Sequence, residues 1–268
     1  MPAKYVETNP PELILITGAA GRIGGYLRSG RAELHGRLRF FDRVSVPGEQ
    51  DVVVADIGDE TALDAAMIDV TTVVHLAASP DDKDPFEVYL HSNFEGTYRL
   101  FEAARRAGVR RVVFASSNHA NGFAPRSQGA LASTIPDRPD SIYGVSKLYG
   151  EALGRLYHDR YGLQVVCLRI GSCVDEPSSP RDLGSWLSPG DAARLVGAAV
   201  RHPDVGYVVA YGVSNNARRW WDLSAAEAFG YNPQDDAERF AEKVLAPYGG
   251  VDPSSPDEPQ GGSSAWVA

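Results

Sequence analysis

The sequence has few lysines and an excess of acidic residues. Only four of its 268 residues are lysine, so arginine carries most of the positive charge, and the 26 basic residues face 35 acidic ones. The net charge of −9 argues against nucleic acid or an anionic membrane surface as a partner, because either would require a basic face. We therefore expect a small molecule as the ligand.

Cysteine and long apolar runs are also scarce. Cys167 and Cys173 are the two cysteines, which is too few for a disulfide framework and offers no zinc spacing, so no metal is expected. The N-terminal stretch has no apolar region of signal-peptide length, and no run approaches a membrane span. These features predict a reduced, cytoplasmic protein without a membrane segment.

The rest of the chain alternates short β-rich runs with helical stretches, which is typical of an α/β doubly wound parallel sheet, the Rossmann fold. Near-continuous Val, Ile and Leu runs favour strands buried on both faces. Predicted strands cover 12–17, 37–42, 51–56, 71–78, 110–117, 163–170 and 207–212, and predicted helices lie near 22–34, 60–68, 86–107, 143–161 and 188–203. We predict a cofactor domain over 11–171, a small C-terminal substrate-binding lobe over 172–248, interleaved with the last strand, and an extended or disordered tail over 249–268.

A glycine-rich turn follows the first predicted strand. Gly18, Gly21 and Gly24 stand three residues apart in "TGAAGRIGG", where a strand leads into a helix whose free N–H groups favour a pyrophosphate. Asp42 ends the second strand, at the distance expected for an acid that binds a ribose. Such a carboxylate repels a 2′-phosphate and favours NAD over NADP, whereas the adjacent Arg43 would favour NADP. Asp56 would meet the adenine amino group or cap a turn.

The stretch "SIYGVSK" places Tyr143 four residues before Lys147. In a helix capped by Ser141 the two side chains share a face. The pair would be a catalytic base with an ammonium that lowers its pKa, or simply the exposed start of a helix. The pair follows a strand that ends at Ser117, and ligands of parallel sheets bind beyond the carboxyl ends of the strands. This placement favours the catalytic interpretation.

The glycine turn, the acid after the second strand and the Tyr-x-x-x-Lys pair together resemble the extended short-chain dehydrogenase/reductase family. Within it, "SSNH", "IGSC" and "RRWWDLS" are similar to the uronate dehydrogenases, and the likeness runs from about residue 11 to 245. The resemblance implies NAD-dependent oxidation of the C1 hydroxyl of a cyclic hexuronate, glucuronate or galacturonate, to an aldarolactone. It also implies a homo-oligomer.

The resemblance implies roles for particular residues as well. Tyr143 would be the base, Lys147 the group that lowers its pKa and Ser117 the hydroxyl that holds the reacting oxygen. NAD would contact Gly18, Ala20, Gly21, Arg22, Ile23, Gly24, Asp42, Asp56, Ile57, Leu76, Ala77, Ala78, Asn93, Tyr143, Lys147 and Ile170. The substrate would contact Ser79, Ser117, Asn118, His119, Tyr143, Ser172 and Arg181.

Several alternatives remain open. Arg181 would hold the substrate carboxylate by a bidentate contact, or would be a surface arginine paired with Asp182 or Asp175. Asn93 would support a proton relay, or would be a buried amide satisfied by the backbone, and Trp220 and Trp221 are expected to pack rather than to stack on sugar. The competing functions are a sugar-phosphate dehydrogenase, a nucleotide-sugar epimerase and a non-catalytic NAD sensor.

Overall fold

The computed structural model of the protein describes residues 12–80, 84–128, 130–255 and 257–262. Its centre is a seven-stranded sheet in which every pair of neighbouring strands is parallel, in the order β3-β2-β1-β4-β5-β6-β9. The strands are β1 (Leu13–Thr17), β2 (Arg37–Asp42), β3 (Val52–Val54), β4 (Thr72–His75), β5 (Arg111–Ser117), β6 (Gln164–Ile170) and β9 (Tyr207–Gly212); β7 (Ser172–Cys173) and β8 (Trp186–Leu187) form a second, two-stranded sheet. The doubly wound fold predicted from the sequence is confirmed.

Helices connect the strands and cover both faces of the sheet. They are α1 (Arg22–Ser29), α2 (Glu60–Ala66), α3 (Phe86–Tyr89), α4 (Gly96–Arg106), α5 (Ile142–Tyr161), α6 (Asp182–Ser185), α7 (Pro189–Arg201), α8 (Ser224–Ala228) and α9 (Ala241–Leu245). The apolar side chains of the strands fall into two clusters, one on each face. This explains why the strands are nearly continuous runs of Val, Ile and Leu, since both faces are buried.

Helix ends agree with the capping signals of the sequence. Ser141 Oγ accepts a hydrogen bond of 3.0 Å from Gly144 N at the start of α5, and Ser188 Oγ accepts one of 2.9 Å from Asp191 N at the start of α7. The stretch predicted as one helix over 86–107 is instead α3, a π-helical segment at Leu90–Glu95, and α4. The predicted helix over 22–34 ends at Ser29, because Gly30 interrupts it before a short 3₁₀ turn at Arg31–Leu34.

The region after β6 is smaller and more irregular. A third apolar cluster there contains Leu183, Trp186, Ala237, Val244 and Leu245, apart from the clusters on the main sheet. Helix α7, by contrast, packs against α1 and belongs to the main layers. The division into a cofactor domain and a small lobe at residue 172 remains a prediction. No helix in the described ranges is long and apolar enough to cross a membrane.

Candidate active site

The glycine turn between β1 and α1 is tightly built against the end of β4. Gly18 has a φ of 69°, and a β-carbon there would lie 2.6 Å from Ala77 N, so only glycine fits. A β-carbon on Gly24 would overlap the carbonyl of Ala19. Helix α1 begins at Arg22 after Gly21, which provides no side-chain cap, so the first N–H groups of the helix have no side-chain acceptor. This turn can receive a pyrophosphate.

Asp42 lies at the end of β2, directly beside the glycine turn. Its Oδ2 accepts a hydrogen bond of 2.9 Å from Ala20 N, and its Oδ1 accepts one of 3.2 Å from Val44 N. The two backbone donors fix the carboxylate at the edge of the turn, where the sequence predicted an acid for the ribose. Arg43 is exposed.

Asp56 caps a turn, which is the alternative role that the sequence left open for it. Its Oδ1 accepts a hydrogen bond of 2.7 Å from Gly58 N and lies 2.7 Å from His91 Nε2. The neighbouring Ile57 is buried in the core, whereas Ile23 of α1 is partly buried against the opposite cluster and Arg22 is exposed. Contact of these residues with adenine or pyrophosphate stays a prediction.

The segment after β4 forms the opposite wall. Leu76 N and Ala77 N donate to Thr17 O and Thr17 Oγ1, at 3.1 and 3.4 Å, which holds the segment Leu76–Ser79 against the glycine turn. Asn93 is buried and bonds Ser79 twice, accepting 2.8 Å from its N–H and donating 3.1 Å to its carbonyl. Asn93 Nδ2 also donates to Ser146 Oγ on α5. The amide is thus satisfied by backbone and serine, and a role in a proton relay stays a prediction.

The Tyr143–Lys147 pair lies on one face of α5, as the spacing predicts. Lys147 Nζ is 5.2 Å from the centre of the Tyr143 ring and 5.2 Å from that of Phe114 on β5. The Ser117 hydroxyl lies beside the Tyr143 phenol and acts to lower its pKa. Lys147 is buried, whereas Tyr143 is half-buried. The three side chains predicted to carry the chemistry therefore meet at the ends of β5 and α5.

Burial dominates the acid–base behaviour of this pair. It raises the pKa of Tyr143 to about 12, against the opposing contact with Ser117, and it lowers the pKa of Lys147 to about 8. Both groups lose hydration, which disfavours phenolate and ammonium alike. The role of Lys147 in lowering the pKa of the phenol stays a prediction, and a further positive charge beside the phenol would favour phenolate as well.

His119 lies beside this centre and is held by an acid. Its Nδ1 is 2.8 Å from Asp140 Oδ2, its backbone N–H donates to Ser117 Oγ at 3.2 Å, and its ring centre is 6.1 Å from that of Tyr143. The Asp140 side chain is only 1% exposed. An imidazole oriented in this way presents Nε2 as its remaining polar atom.

Arg181 lies next to Asn118 and Ser172, beyond the end of β6. Its Nη1 donates to Ser172 Oγ at 3.2 Å and to Ser185 Oγ at 3.3 Å. The Asn118 amide, oriented as its neighbours require, donates to Ile170 O at 3.0 Å and accepts from Arg181 Nη2 at 2.9 Å. Since Asn118 follows Ser117 in the chain, the guanidinium is connected to the Tyr143 site by two adjacent residues.

Arg181 has no carboxylate partner among the described residues. Its Nε and Nη2 both donate to the backbone carbonyl of Gln260, at 3.0 and 2.7 Å, so every acceptor around it is neutral. Asp182 instead accepts hydrogen bonds from Ser178 and Ser179. The alternative of a surface arginine paired with Asp182 or Asp175 is therefore wrong. Burial, with Arg126 nearby, lowers the pKa of Arg181 to about 10, so it remains cationic at neutral pH.

Three residues near the site were not identified from the sequence. Asp140 directly precedes Ser141, which caps α5. An acid at the start of this helix could have been predicted as a partner for His119. Ser185, the last residue of α6, has its hydroxyl 2.9 Å from that of Ser172. Gln260 lies in a tail whose composition predicted an extended or disordered end.

Both tryptophans pack as expected, since Trp221 is 1% exposed and stacks on Tyr211, and Trp220 lies against it.

Comparisons with known proteins cover most of the chain. Residues 14–180 match the NAD dependent epimerase/dehydratase family. A uronate dehydrogenase from Pseudomonas syringae pv. tomato is 40% identical over 92% of this chain and 90% of its own length. An NAD-dependent glucose-6-phosphate dehydrogenase from Haloferax volcanii is 36% identical over 85% of this chain and 95% of its own length.

A solved structure is similar over nearly the same range. A mutant of uronate dehydrogenase from Agrobacterium tumefaciens, complexed with NAD, is 36% identical over 96% of this chain and 98% of that chain, with a TM-score of 0.86. The likeness therefore covers the irregular region after β6 as well as the sheet.

Proposed function

The chain belongs to the NAD-dependent epimerase/dehydratase family, and on this premise we propose that it is an NAD-dependent dehydrogenase that oxidises the C1 hydroxyl of a cyclic hexuronate. The product is an aldarolactone. Glucuronate and galacturonate are the two substrates that we propose. The similarity to uronate dehydrogenases over nine-tenths of the chain supports the reaction.

The observation that carries the choice of a sugar acid is the environment of Arg181. Among the described residues this half-buried guanidinium has only neutral oxygens as partners and no counter-charge, and leaving such a charge unpaired is costly. A substrate carboxylate would supply that counter-charge through charge-assisted hydrogen bonds. One arginine matches one carboxylate, whereas the doubly charged phosphate of a sugar phosphate would call for more positive charge than Arg181 and the more distant Arg126 provide.

The cofactor is NAD, and the residues of the turn fit it. The narrow space at Gly18, the uncapped start of α1 and the fixed Asp42 carboxylate offer sites for a pyrophosphate and for ribose hydroxyls. NAD, when bound, supplies the hydride acceptor and a positive charge near the reacting centre. We propose that Asp42 also excludes a 2′-phosphate, and so disfavours NADP.

We propose that Tyr143, Lys147 and Ser117 act on the C1 hydroxyl. Ser117 holds the hydroxyl oxygen, Tyr143 takes its proton, and C1 gives up its hydrogen as hydride, so that C1 becomes the carbonyl carbon of the lactone. The phenol needs positive charge around it because burial raises its pKa to about 12. Lys147 Nζ, 5.2 Å from the ring centre, is the chain's own cation at this place. His119, oriented by Asp140, would hydrogen-bond a substrate hydroxyl through Nε2.

We also propose a homo-oligomer, as the resemblance implied. Phe86 of α3, Leu90 of the π-helical segment and Tyr98 of α4 are about half exposed, at 52%, 49% and 49%. Together with Phe94 and Tyr149 they line an apolar groove beside α5. A neighbouring copy would remove this surface from water. The cytoplasmic location stays a prediction.

The test of the function is NADH formation at 340 nm with a panel of sugars. We expect reduction of NAD with glucuronate, galacturonate or both, and much less with glucose 6-phosphate or with neutral aldoses. Reduction only with the sugar phosphate would select the other dehydrogenase activity. No reduction with either sugar acid would refute the proposal.

A further inference from the structure

The described end of the chain lies inside the protein next to the substrate site. Pro259, Gln260, Gly261 and Gly262 are all buried, and Gln260 is 0% exposed. This differs from the extended or disordered end that the Gly, Pro and Ser content predicted. Burial of such a short, polar segment requires specific contacts, because its backbone must be satisfied away from water.

Gln260 is anchored by both its side chain and its backbone. Its Oε1 accepts from Trp221 Nε1, and its Nε2 donates to the carbonyl of Asn121, both by short hydrogen bonds. Its own N–H donates to Ala124 O at 2.9 Å, and the N–H of Gly261 donates to Gly122 O at 2.8 Å. Four hydrogen bonds to buried partners make this segment a fixed part of the fold.

The carbonyl of Gln260 sets the direction of Arg181. It accepts from Nε at 3.0 Å and from Nη2 at 2.7 Å, and it therefore occupies the side edge of the guanidinium. The Nη1 end remains beside Ser172 and Ser185, at contacts of 3.2 and 3.3 Å. A carbonyl fixes the plane of the guanidinium without neutralising its charge, so the other end stays cationic for a ligand.

The next residue, Gly261, lies against the His119–Asp140 pair. A β-carbon on Gly261 would overlap Asp140 Oδ2, the atom that holds His119. Gly122 lies against the same oxygen, since a β-carbon there would also overlap it. The segment therefore joins Arg181 and the His119–Asp140 pair, which are far apart in sequence.

We propose that Pro259–Gly262 is a wall of the sugar-acid site and that Gln260 is a positioning residue that sets carboxylate specificity by fixing Arg181. The inference rests on the proposed function. A guanidinium already held in its bound orientation loses little freedom when a carboxylate arrives, which strengthens binding of the acid without changing hydride transfer. Gln260 does not touch the reacting atoms, so its effect falls on KM for the acid.

The test compares two shortened chains and two point variants. One chain ends at Ser255 and removes the wall, and its matched control ends at Gly262 and keeps it. Gln260→Ala removes the side-chain anchors, and Asp257→Asn, at an exposed residue two positions before Pro259, is its control. For each protein, kcat and KM are measured with galacturonate and glucuronate at saturating NAD, together with the Kd for NAD.

We expect KM for the acid to rise about 10- to 100-fold in Gln260→Ala and in the chain ending at Ser255, in line with the loss caused by misplacing a binding group by about 1 Å. The Kd for NAD should stay unchanged, kcat should change far less than KM, and both controls should match the wild type. Gly261→Ala provides an independent variant, because it disturbs Asp140 while leaving the anchors of Gln260, and it should also raise KM. The two point variants decide the matter if the chain ending at Ser255 does not fold.

An unchanged KM in both Gln260→Ala and Gly261→Ala would overturn the inference. A lower KM in the shortened chain would overturn it as well, since the segment would then be a cover that the substrate displaces. A rise in KM accompanied by equal falls in kcat and in NAD affinity would indicate a merely structural role for the segment. This result would also contradict the inference. If the wild type does not oxidise either acid, the proposed function itself has failed, which is a distinguishable outcome.

Discussion

Removal of the Arg181 guanidinium should weaken the binding of uronates selectively. Its hydrogen-bond partners in the described ranges lie at 2.7 to 3.3 Å and are all neutral, and a substrate carboxylate would be its counter-charge. Truncating one partner of a buried, hydrogen-bonded charge pair costs about 2 to 5 kcal/mol. Because Arg181 is only half-buried, the lower end applies, and about 2 kcal/mol corresponds to roughly a 30-fold rise in KM.

The assay uses NADH formation with galacturonate and with galactose, its neutral counterpart, across a matched set of variants. Arg181→Ala should raise KM for the acid at least about 30-fold while leaving the weak activity on the aldose within about threefold, since only the acid loses a charge-assisted contact. Arg181→Lys keeps the positive charge but loses the two parallel N–H donors of the guanidinium. Its KM for the acid should therefore lie between those of the wild type and Arg181→Ala. Arg219→Ala, an exposed arginine of the same region, is the control for charge. Equal losses on acid and aldose would refute the carboxylate role.

Three further changes test the rest of the site. Tyr143→Phe removes the proton acceptor and should lower kcat by at least about 100-fold with NAD affinity retained; substantial remaining turnover would exclude Tyr143 as the base. Lys147→Met should abolish turnover yet stabilise the protein without cofactor at pH 7, because burial lowers the lysine's pKa from 10.5 to about 8, a cost on the order of 3 kcal/mol. Because the folded pKa lies below the unfolded one, the unfolded state binds more protons between pH 8 and 10.5. The free energy of unfolding of the wild type, measured in urea, should therefore rise relative to that of the variant as pH increases through that window. A difference that does not change with pH would contradict the account. Gly18→Ala combines a φ of 69° with a contact of 2.6 Å to Ala77 N and should weaken NAD binding and destabilise by about 1 to 3 kcal/mol, measured by isothermal titration and thermal unfolding; unchanged NAD affinity would contradict the placement of the cofactor at this turn.

The sequence was informative wherever chemistry and local structure coincide. The strands of the main sheet follow from continuous apolar runs, and the face shared by Tyr143 and Lys147 follows from helical spacing in a helix capped by Ser141. The carboxyl ends of parallel strands lie at one edge of the sheet, which is why Gly18, Asp42 and Ser117 lie along the same edge. These relations need only periodicity and topology.

What the sequence could not provide depends on contacts between distant segments. The pKa of Tyr143 depends on how deeply it is buried. That Arg181 bonds no carboxylate in the described part of the chain depends on where Asp182 points. Gln260 lies 79 residues from Arg181 in the chain, in a stretch without motif or periodicity. Its burial arises because its amide pairs with Asn121 and Trp221, a match that no local pattern predicts.

The central claim is that this site removes a hydride from C1 of a hexuronate while Tyr143 takes the proton of its hydroxyl. The most direct measurement uses glucuronate or galacturonate carrying deuterium only at C1, with NAD, and determines by mass spectrometry the deuterium content of the reduced cofactor. The account predicts one deuterium in each reduced nicotinamide and one lactone formed for each. Reduced cofactor without deuterium would mean that another carbon is oxidised, and this result would contradict the account.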